Sequence, residues 1–516
     1  MQHGRWRAGR AGTTLALAVF VLQGAACAAA TQSWRAGPAG IPAERSLRDQ
    51  LAAGRFESAW EAVNDKHLAP ADALLRHMYK GVVGLHAGEW ETGARAMDRA
   101  WEIAYQRWTK RLGNAALSMV TSDAVLPYDP GPAELMFIPY YGGLTWLARD
   151  ERQSAAVEAR RLSTLLASDV GPQPADDFRG VMRYVAGVMY EMAGERNDAD
   201  VSFRNAALLL GGAIPGDTLP ADSLHGDVVV VIEDGFVGHP QPAAMTFWFT
   251  DTELSHLSGD DEHARVSTVG TLRHRRHESR QWGVGYRAVT FSWPEFGEPR
   301  RVSGPLGVRA AGTDSAAVGV AALISADVTG AVRADFDREQ PGRLARAIAR
   351  AAVREAALRA AGRSFEDAVD GDKKKGDKKD DDGKNDGQGK AIGKVLLGIG
   401  LLATGATSAV LDQPDLRAWQ LLPDRVSVAR LRLPLGDHAI EVTRDGEAVT
   451  LGTVSVRPGS VTLLTHRWWP APRDTRTLVE NGRELPDYLS RGAHVVDPGD
   501  GLSRLPVLAP GVVLHQ

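Results

Sequence analysis

Residues 227–233 read Asp-Val-Val-Val-Val-Ile-Glu, and this run divides the chain into two kinds of sequence. Side chains branched at Cβ favour extended backbone, and the turn residues Asp234 and Gly235 follow, so the run predicts a buried strand. Before it, apolar residues recur at helical spacing; after it, they alternate or form short runs. The sequence therefore predicts an α+β fold with several domains. A helical domain over 44–220 precedes a mixed α/β domain with an antiparallel sheet, which begins at residue 225.

The helical half contains three similar turn sequences, each of which starts with glycine and has a small residue five positions later. They are Gly54-Arg55-Phe56-Glu57-Ser58-Ala59, Gly88-Glu89-Trp90-Glu91-Thr92-Gly93 and Gly194-Glu195-Arg196-Asn197-Asp198-Ala199. The pattern resembles the turn between the two helices of a tetratricopeptide repeat (TPR). A degenerate fourth copy is expected where Arg149-Asp150-Glu151 replaces the glycine turn. Because the spacing is not a regular period of about 34 residues, a plain helical bundle is the alternative.

Helix pairs of the TPR type present extended faces that bind peptides or partner proteins. Six aromatic residues of the helical half are therefore candidates for partner binding: Trp90, Trp101, Tyr105, Tyr140, Tyr141 and Trp146. Large aromatic side chains also dominate protein cores, so packing in the interior is the alternative role for each of them.

After the first strand, the chain is predicted to form an α+β domain over 225–369. Strand-like runs occur at 244–250 and 286–293, and Pro294 ends the second. A helix with arginines around an alanine-rich stripe is predicted over 343–361. A helix that covers a sheet is the favoured interpretation of this stretch, and a helix lying on anionic lipid is the alternative.

A charged segment interrupts the second half of the chain. Residues 370–390 include no apolar residue and cannot bury surface, so they predict a disordered linker rich in lysine and aspartate. Residues 391–469 are predicted to complete the α+β domain with a helix and a β-meander, and 470–516 to form an irregular tail. The apolar stretch 391–411 is slightly short for a membrane span. A buried helix is therefore the interpretation and membrane insertion the alternative.

The N-terminus has the three-part layout of an export signal. Arginines precede an apolar run over 14–22, and the small residues Gly24, Ala25 and Ala26 lead to Cys27, which is the only cysteine. This resembles the lipobox at which bacterial lipoproteins are cleaved and diacylated, although Gly24 stands where that motif usually has Leu, Val or Ile.

We therefore expect a signal peptide over 1–26, lipidation of Cys27 and a tether over 27–43. Ordinary signal-peptidase cleavage within 26–30 is the alternative. By resemblance to lipoprotein sorting, Ala28 after the cysteine favours the outer membrane over the inner one.

Composition and motifs argue against several functions. A net charge of −4 provides no positive field, so nucleic acid is not an expected partner. One cysteine cannot form an internal disulfide or a multi-thiolate zinc site. His274 and His277 lie among arginines, and the glycines of 387–393 do not follow a strand, so neither predicts a metal or dinucleotide site. We expect no catalytic residue, metal or cofactor, and no enzymatic activity.

The order of these features resembles a family of uncharacterised bacterial envelope lipoproteins with TPR-like N-terminal helices and a C-terminal α/β domain. The residues that carry the resemblance are Gly88, Gly194, 126–128, 158–161, 184–190, 228–235, 291–294, 415–419, 422–423, 429–431, Pro434 and Gly436. The resemblance covers about 45–468, whereas the linker and the tail depart from it. It implies export, frequent lipidation, and genes that often lie beside those of cell-wall or outer-membrane assembly lipoproteins.

The sequence thus predicts a non-enzymatic scaffold or adaptor of the bacterial cell envelope. We expect it to be exported to the periplasm, anchored to the outer membrane, and to bind envelope proteins through its helices. The alternative is an envelope enzyme or ligand-binding module with a site in the 225–468 domain. A third interpretation is a membrane-inserting assembly component that uses 391–411.

Overall fold

The computed structural model describes residues 43–65, 72–110, 127–168, 173–212, 214–216, 224–250, 286–312, 317–344, 347 and 415–470. The predictions for the signal peptide, Cys27, the linker, 391–411, 387–393, the two histidines and the tail after residue 470 lie outside these ranges. Within them the chain is a mixed α+β protein, with helices first and mainly antiparallel sheets second. This confirms the predicted order of helical and sheet sequence.

Eight helices occupy the described part of the N-terminal half. They are α1 Ala43–Ala52, α2 Phe56–Asn64, α3 Ala73–Ala87, α4 Trp90–Lys110, α5 Pro132–Ala148, α6 Arg152–Leu166, α7 Asp176–Met192 and α8 Arg196–Leu209. Short turns join them as four successive pairs, and each helix packs on the next. The odd-numbered helices α3, α5 and α7 also contact one another.

Each of the four turns contains one residue with positive φ. Glycine takes this conformation in three of them, at Gly54, Gly88 and Gly194, because it has no Cβ to clash with the backbone. In the turn between α5 and α6, Asp150 takes it instead, with φ of 61°. This is the turn at which the sequence predicts that glycine is replaced.

Ten strands are described, in three sheets. They are β1 His225–Asp234, β2 Pro240–Thr250, β3 Tyr286–Phe296, β4 Leu306–Gly312, β5 Ala317–Val320, β6 Leu323–Asp327, β7 Arg425–Pro434, β8 Gly436–Arg444, β9 Glu447–Val456 and β10 Val461–Trp468. The first sheet has the order β10-β1-β7-β6 and the second β5-β4-β8-β9, while β2 and β3 pair in an antiparallel two-stranded sheet. Helical residues 328–344 follow β6, and the remainder of the helix predicted over 343–361 is described only at Ala347.

The strands predicted as a β-meander are distributed over two sheets. Strands β8 and β9 pair in the second sheet, whereas β7 and β10 both pair with β1 in the first. Strand β10 runs parallel to β1, from Val461 opposite Asp227 to Trp468 opposite Asp234. The continuous apolar run of β1 suits this central position, because a strand that is buried on both faces needs no polar alternation.

Strand β1 lies between two layers of core. Val229 and Val231 pack into the core that the helices share with the first sheet. Val228, Val230 and Ile232 point to the other face and pack against the second sheet, since successive side chains of a strand alternate in direction. The described part of the molecule therefore has three layers, with the helices, the first sheet and the second sheet in that order.

Candidate functional site

Many polar contacts of the described residues lie where the odd-numbered helices meet the first sheet and the chain next to it. We call the side of α1, α3, α5 and α7 that faces this sheet the inner face. From α1, the Arg48 guanidinium donates to the carbonyl oxygen of Val237 at 3.2 Å. From α7, the Glu191 carboxylate accepts two hydrogen bonds of 2.9 Å from the Arg430 guanidinium of β7. One end of the inner face is thus tied to the chain that follows β1, and the other end is tied to β7 of the sheet.

Residues 415–420, which we call the inner segment, lie against the middle of the inner face. Its sequence is Asp-Leu-Arg-Ala-Trp-Gln. The Tyr79 hydroxyl of α3 donates to the carbonyl oxygen of Ala418 at 3.0 Å and accepts from the backbone N–H of Gln420 at 3.1 Å. The Glu134 carboxylate of α5 accepts from the backbone N–H of Trp419 at 3.1 Å. Side chains of two helices therefore hold the backbone of this segment.

The Trp419 side chain fills the interior beside these contacts. It is fully buried, and its ring centroid lies 5.8 Å from that of Tyr141. Glu134, which contacts the Trp419 backbone, also accepts a hydrogen bond from the Tyr128 hydroxyl. Burial raises the pKa of Glu134, while the hydrogen bonds from Tyr128 and from the Trp419 backbone oppose the rise. Glu134 is thus an interior acceptor whose geometry fixes the inner segment.

Tyr140 and Tyr141, which were predicted to bind a partner, are interior residues. Both side chains are fully buried, and their hydroxyls donate to the two carboxylate oxygens of Glu233 at 3.0 Å each. Burial and the charge of Glu233 raise the pKa of both tyrosines well above its usual value. These tyrosines join α5 to β1, so they do not line an open face.

Arg467 of β10 completes the contact between the helices and the sheet. Its guanidinium donates to Glu233 at 3.3 Å and to the carbonyl oxygens of Gly235 and Leu421 at 2.8 Å each. It also lies over the ring of Trp469, 4.4 Å from the centroid. Burial raises the pKa of Glu233, and the charge of Arg467 opposes the rise. The ion pair is enclosed by protein on all sides and serves packing.

A second group of aromatic residues lies on the even-numbered helices. Trp101 and Tyr105 of α4 stack with centroids 5.4 Å apart, and the Arg161 guanidinium of α6 lies 5.4 Å from the Trp101 ring. Arg161 pairs with Asp98 at 2.6 Å and with Glu158. Tyr105 is 42% exposed. We call Trp101, Tyr105 and Arg161 the outer patch, and it combines the residue types that most often carry binding energy in protein interfaces.

The other two predicted residues, Trp90 and Trp146, are partly buried against the helical core. The Trp90 indole N–H donates to the carbonyl oxygen of Leu85 at 3.2 Å, which ties α4 to the end of α3. Of the six predicted aromatics, the structure therefore brings only Trp101 and Tyr105 together on an accessible surface.

Tyr79 and Glu134, which hold the inner segment, were not among the candidate residues, and 415–419 entered only through the family resemblance. One signal for Glu134 was present. It is the only acidic residue in α5, a helix that is apolar on nearly every side and almost entirely buried. A helix that is apolar all round lies in the interior, so an acid within it needs an internal partner.

Three further findings bear on function. Among the residues that the structure describes, no group of three or more His, Cys, Asp or Glu side chains could hold a metal ion. No helix within those same ranges combines the length and the apolar character needed to cross a membrane. Comparison of the chain with protein-family models, with curated proteins and with solved structures finds no match.

Proposed function

We propose that the chain is a non-enzymatic scaffold or adaptor of the bacterial cell envelope that binds other envelope proteins through TPR-like helices. The observation that carries the proposal is the outer patch, in which the exposed Tyr105 stacks on the half-buried Trp101 beside the half-buried Arg161, on a stack of four helix pairs. In this proposal the protein is exported, and a lipidated Cys27 anchors it to the outer membrane.

The TPR-like character is supported by the repeated local geometry. Each pair ends its first helix at a turn with one residue of positive φ. The small residue five positions later then packs at the helix crossing: a Cβ on Gly84 of α3 would lie 2.9 Å from the Cα of Gly93 in α4. Ala59 and Ala199 are buried at the equivalent positions of the first and last pairs.

The outer patch is the favoured partner surface because the inner face is already covered. Tyr140, Tyr141 and Glu134 contact the chain's own sheet and inner segment, so the chain itself occupies their hydrogen-bonding groups in this structure. In contrast, α4 and α6 carry Trp101, Tyr105 and Arg161, of which Tyr105 is 42% exposed. A partner that buries an aromatic pair beside a guanidinium would gain both apolar area and cation–π energy.

The test is affinity purification of the tagged full-length chain from a bacterial envelope after cross-linking. We expect Trp101→Ala and Tyr105→Ala each to reduce recovery of the envelope proteins that the wild type retains by about tenfold or more. Leu208→Ala is the matched control, since Leu208 is 79% exposed on α8 and lies outside the outer patch. Unchanged recovery with both aromatic variants, at unchanged melting temperature, would refute the proposed surface.

The proposed anchor has a separate test. Intact-mass analysis of the mature protein should show an N-terminus at a diacylated Cys27. A mature chain that begins near Thr31 without lipid would contradict the anchor, and the outer patch would then belong to a protein without this tether.

A further inference from the structure

The inner segment is held in the way that a protein holds a bound peptide. Residues 415–420 belong to no helix or strand. The side-chain oxygens of Tyr79 and Glu134 contact three successive residues, Ala418, Trp419 and Gln420, through their backbone groups. A site that recognises backbone groups and accepts one large side chain in a pocket is typical of peptide recognition.

The same contacts define the side chains that a peptide in this site must carry. Trp419 occupies the interior beside Tyr141, and the Arg417 guanidinium lies 6.0 Å from the Tyr128 ring. Asp415 pairs with Arg417 at 2.7 Å and keeps its guanidinium in place. The backbone turns after the tryptophan, where the Gln420 N–H also donates to the carbonyl oxygen of Ala418 at 3.0 Å and the Leu422 N–H donates to that of Trp419 at 3.3 Å. The occupant is therefore a turned stretch with an arginine two residues before a tryptophan.

One buried group of the inner segment lacks a hydrogen-bond partner. The indole Nε1 of Trp419 has no hydrogen-bond partner although the side chain is fully buried. A buried donor without an acceptor costs free energy that a segment optimised only for packing would avoid. By contrast, the chain just beyond the segment is firmly paired: Leu422 accepts from the Val237 N–H at 2.9 Å, and Asp424 donates to the carbonyl oxygen of Asp234 at 2.7 Å.

We propose that the inner face at α3 and α5 is a peptide-binding site that the chain occupies with its own residues 415–420. A partner's segment of the same chemistry and conformation, Arg-x-Trp followed by a turn, binds there only when the inner segment leaves. Pairing at Leu422 and Asp424 keeps the displaced segment attached to the sheet. This inference rests on the proposed function as a protein-binding scaffold, and it adds an internally occupied site to the outer patch.

Hydrogen exchange on the full-length chain is the first test. We expect the amides of Trp419 and Gln420 to exchange at least tenfold faster than the central amides of β1 and β7. Tyr79→Phe removes the hydroxyl that holds the segment, so it should accelerate exchange at 415–420 by about tenfold and leave β1 unchanged.

Tyr184→Phe is the matched control, because it also removes a buried hydroxyl that donates to a carbonyl oxygen, that of Pro215 at 2.7 Å. It should leave exchange at 415–420 unaltered. Exchange of 415–420 at the same rate as β1 and β7 would show that the segment opens only with global unfolding, and this would overturn the proposal.

Peptide binding is the second test. A fluorescent peptide Asp-Leu-Arg-Ala-Trp-Gln-Leu, the sequence of 415–421, is titrated into the wild type and into Trp419→Ala. We expect binding at least tenfold tighter to the variant, whose own segment no longer fills the pocket, and none with a peptide that has alanine for tryptophan.

A folded Trp419→Ala protein that binds no better than the wild type would overturn the proposal. If this variant does not fold, the proposal is decided by the amide exchange rates at 415–420 in the wild type and in Tyr79→Phe. The outer-patch experiment is independent of both, so loss of partners with Tyr105→Ala tests the proposed function and not the inner site.

Discussion

At the scale of single residues, Glu158 is the most informative group on the helices. It belongs to α6, its side chain is only 2% exposed, and it pairs with Arg161 of the outer patch. Its carboxyl group lies against α5 so closely that a Cβ on Gly142 would be 3.0 Å from the Glu158 Cδ. Burial raises the pKa of Glu158 to about 8; the Arg161 charge opposes this rise and Asp98 adds to it.

This raised pKa predicts that the free energy of unfolding decreases as the pH rises. Between about pH 4.5 and 8 the folded chain keeps a proton on Glu158 that the unfolded chain releases, so folding loses free energy as the pH rises. Glu158→Gln resembles the protonated form and does not titrate. We expect the variant to gain roughly 2–4 kcal/mol over the wild type between pH 5 and 8.5, measured by urea unfolding.

Glu61→Gln is the control for this measurement, since Glu61 is exposed on α2 and its removal should leave the pH profile unchanged. Parallel pH profiles for the wild type and Glu158→Gln would mean that the carboxyl group is ionised in the folded chain.

At the scale of secondary-structure elements, the four inter-helix turns determine how the helices pair. Gly88 and Gly194 have φ of 78° and 79°, and a Cβ at either position would meet no atom within 4 Å. Glycine is therefore preferred there because of its backbone conformation, and not because neighbouring side chains leave no space for a Cβ. Asp150 meets the same need at a cost, because a residue with a Cβ is less stable in this conformation.

Substitutions at Gly194 and Asp150 should change the free energy of unfolding in opposite directions. Gly194→Ala should lower the free energy of unfolding by about 1–2 kcal/mol, and Asp150→Gly should raise it by up to about 1 kcal/mol. Chemical denaturation of the two variants beside the wild type measures the difference. Destabilisation by Asp150→Gly would show that the pairing of Asp150 with Arg152, at 3.0 Å, outweighs the backbone strain.

The contact between helix α7 and strand β7 depends on one arginine. Arg430 pairs with Glu191 and Asp227, and its side chain is only 9% exposed. Arg430→Met should lower the free energy of unfolding by about 3 kcal/mol, because Glu191 loses this two-point ion pair while Asp227 keeps its pair with Arg432 at 3.0 Å. Arg309→Met is the control, since its pair with Glu441 is exposed and should contribute about 1 kcal/mol or less. Equal effects of the two variants would contradict this account.

At the scale of the whole molecule, the helices and the first sheet share one core. Trp419, Leu421 and Leu422 lie in the same buried cluster as the helical residues Tyr79 and Phe137. Strand β1 takes β7 and β10 from the C-terminal part of the chain as its two neighbours. The part of the chain after the charged linker is therefore bound to the part before it over a long strand pairing.

Cleavage of the linker should consequently leave the molecule assembled. Lys-C is expected to cut within 370–390, where lysines are concentrated and no apolar residue occurs. The two fragments should elute together in size-exclusion chromatography and separate only in denaturant. Separation under native conditions would show that the pairing of β1 with β7 and β10 does not hold the halves together.

The sequence alone determined the class of each region. Helical periodicity before residue 225, the Val-rich run of β1 and the turns at Gly54, Gly88 and Gly194 are local patterns, because they depend on backbone preferences and on which side chains avoid water. The same pattern also indicated the turn at Asp150, in which another residue replaces the glycine. These features needed no knowledge of distant residues.

Only the tertiary structure decided which faces are covered. Trp101, Tyr105, Tyr140 and Tyr141 are equally aromatic in sequence, yet two are buried against Glu233 and two stack at the surface. The pairing of β10 with β1, more than two hundred residues apart, and the inner segment on Tyr79 and Glu134 are likewise long-range contacts. Local sequence does not specify them, because burial depends on what else the chain brings to the same place.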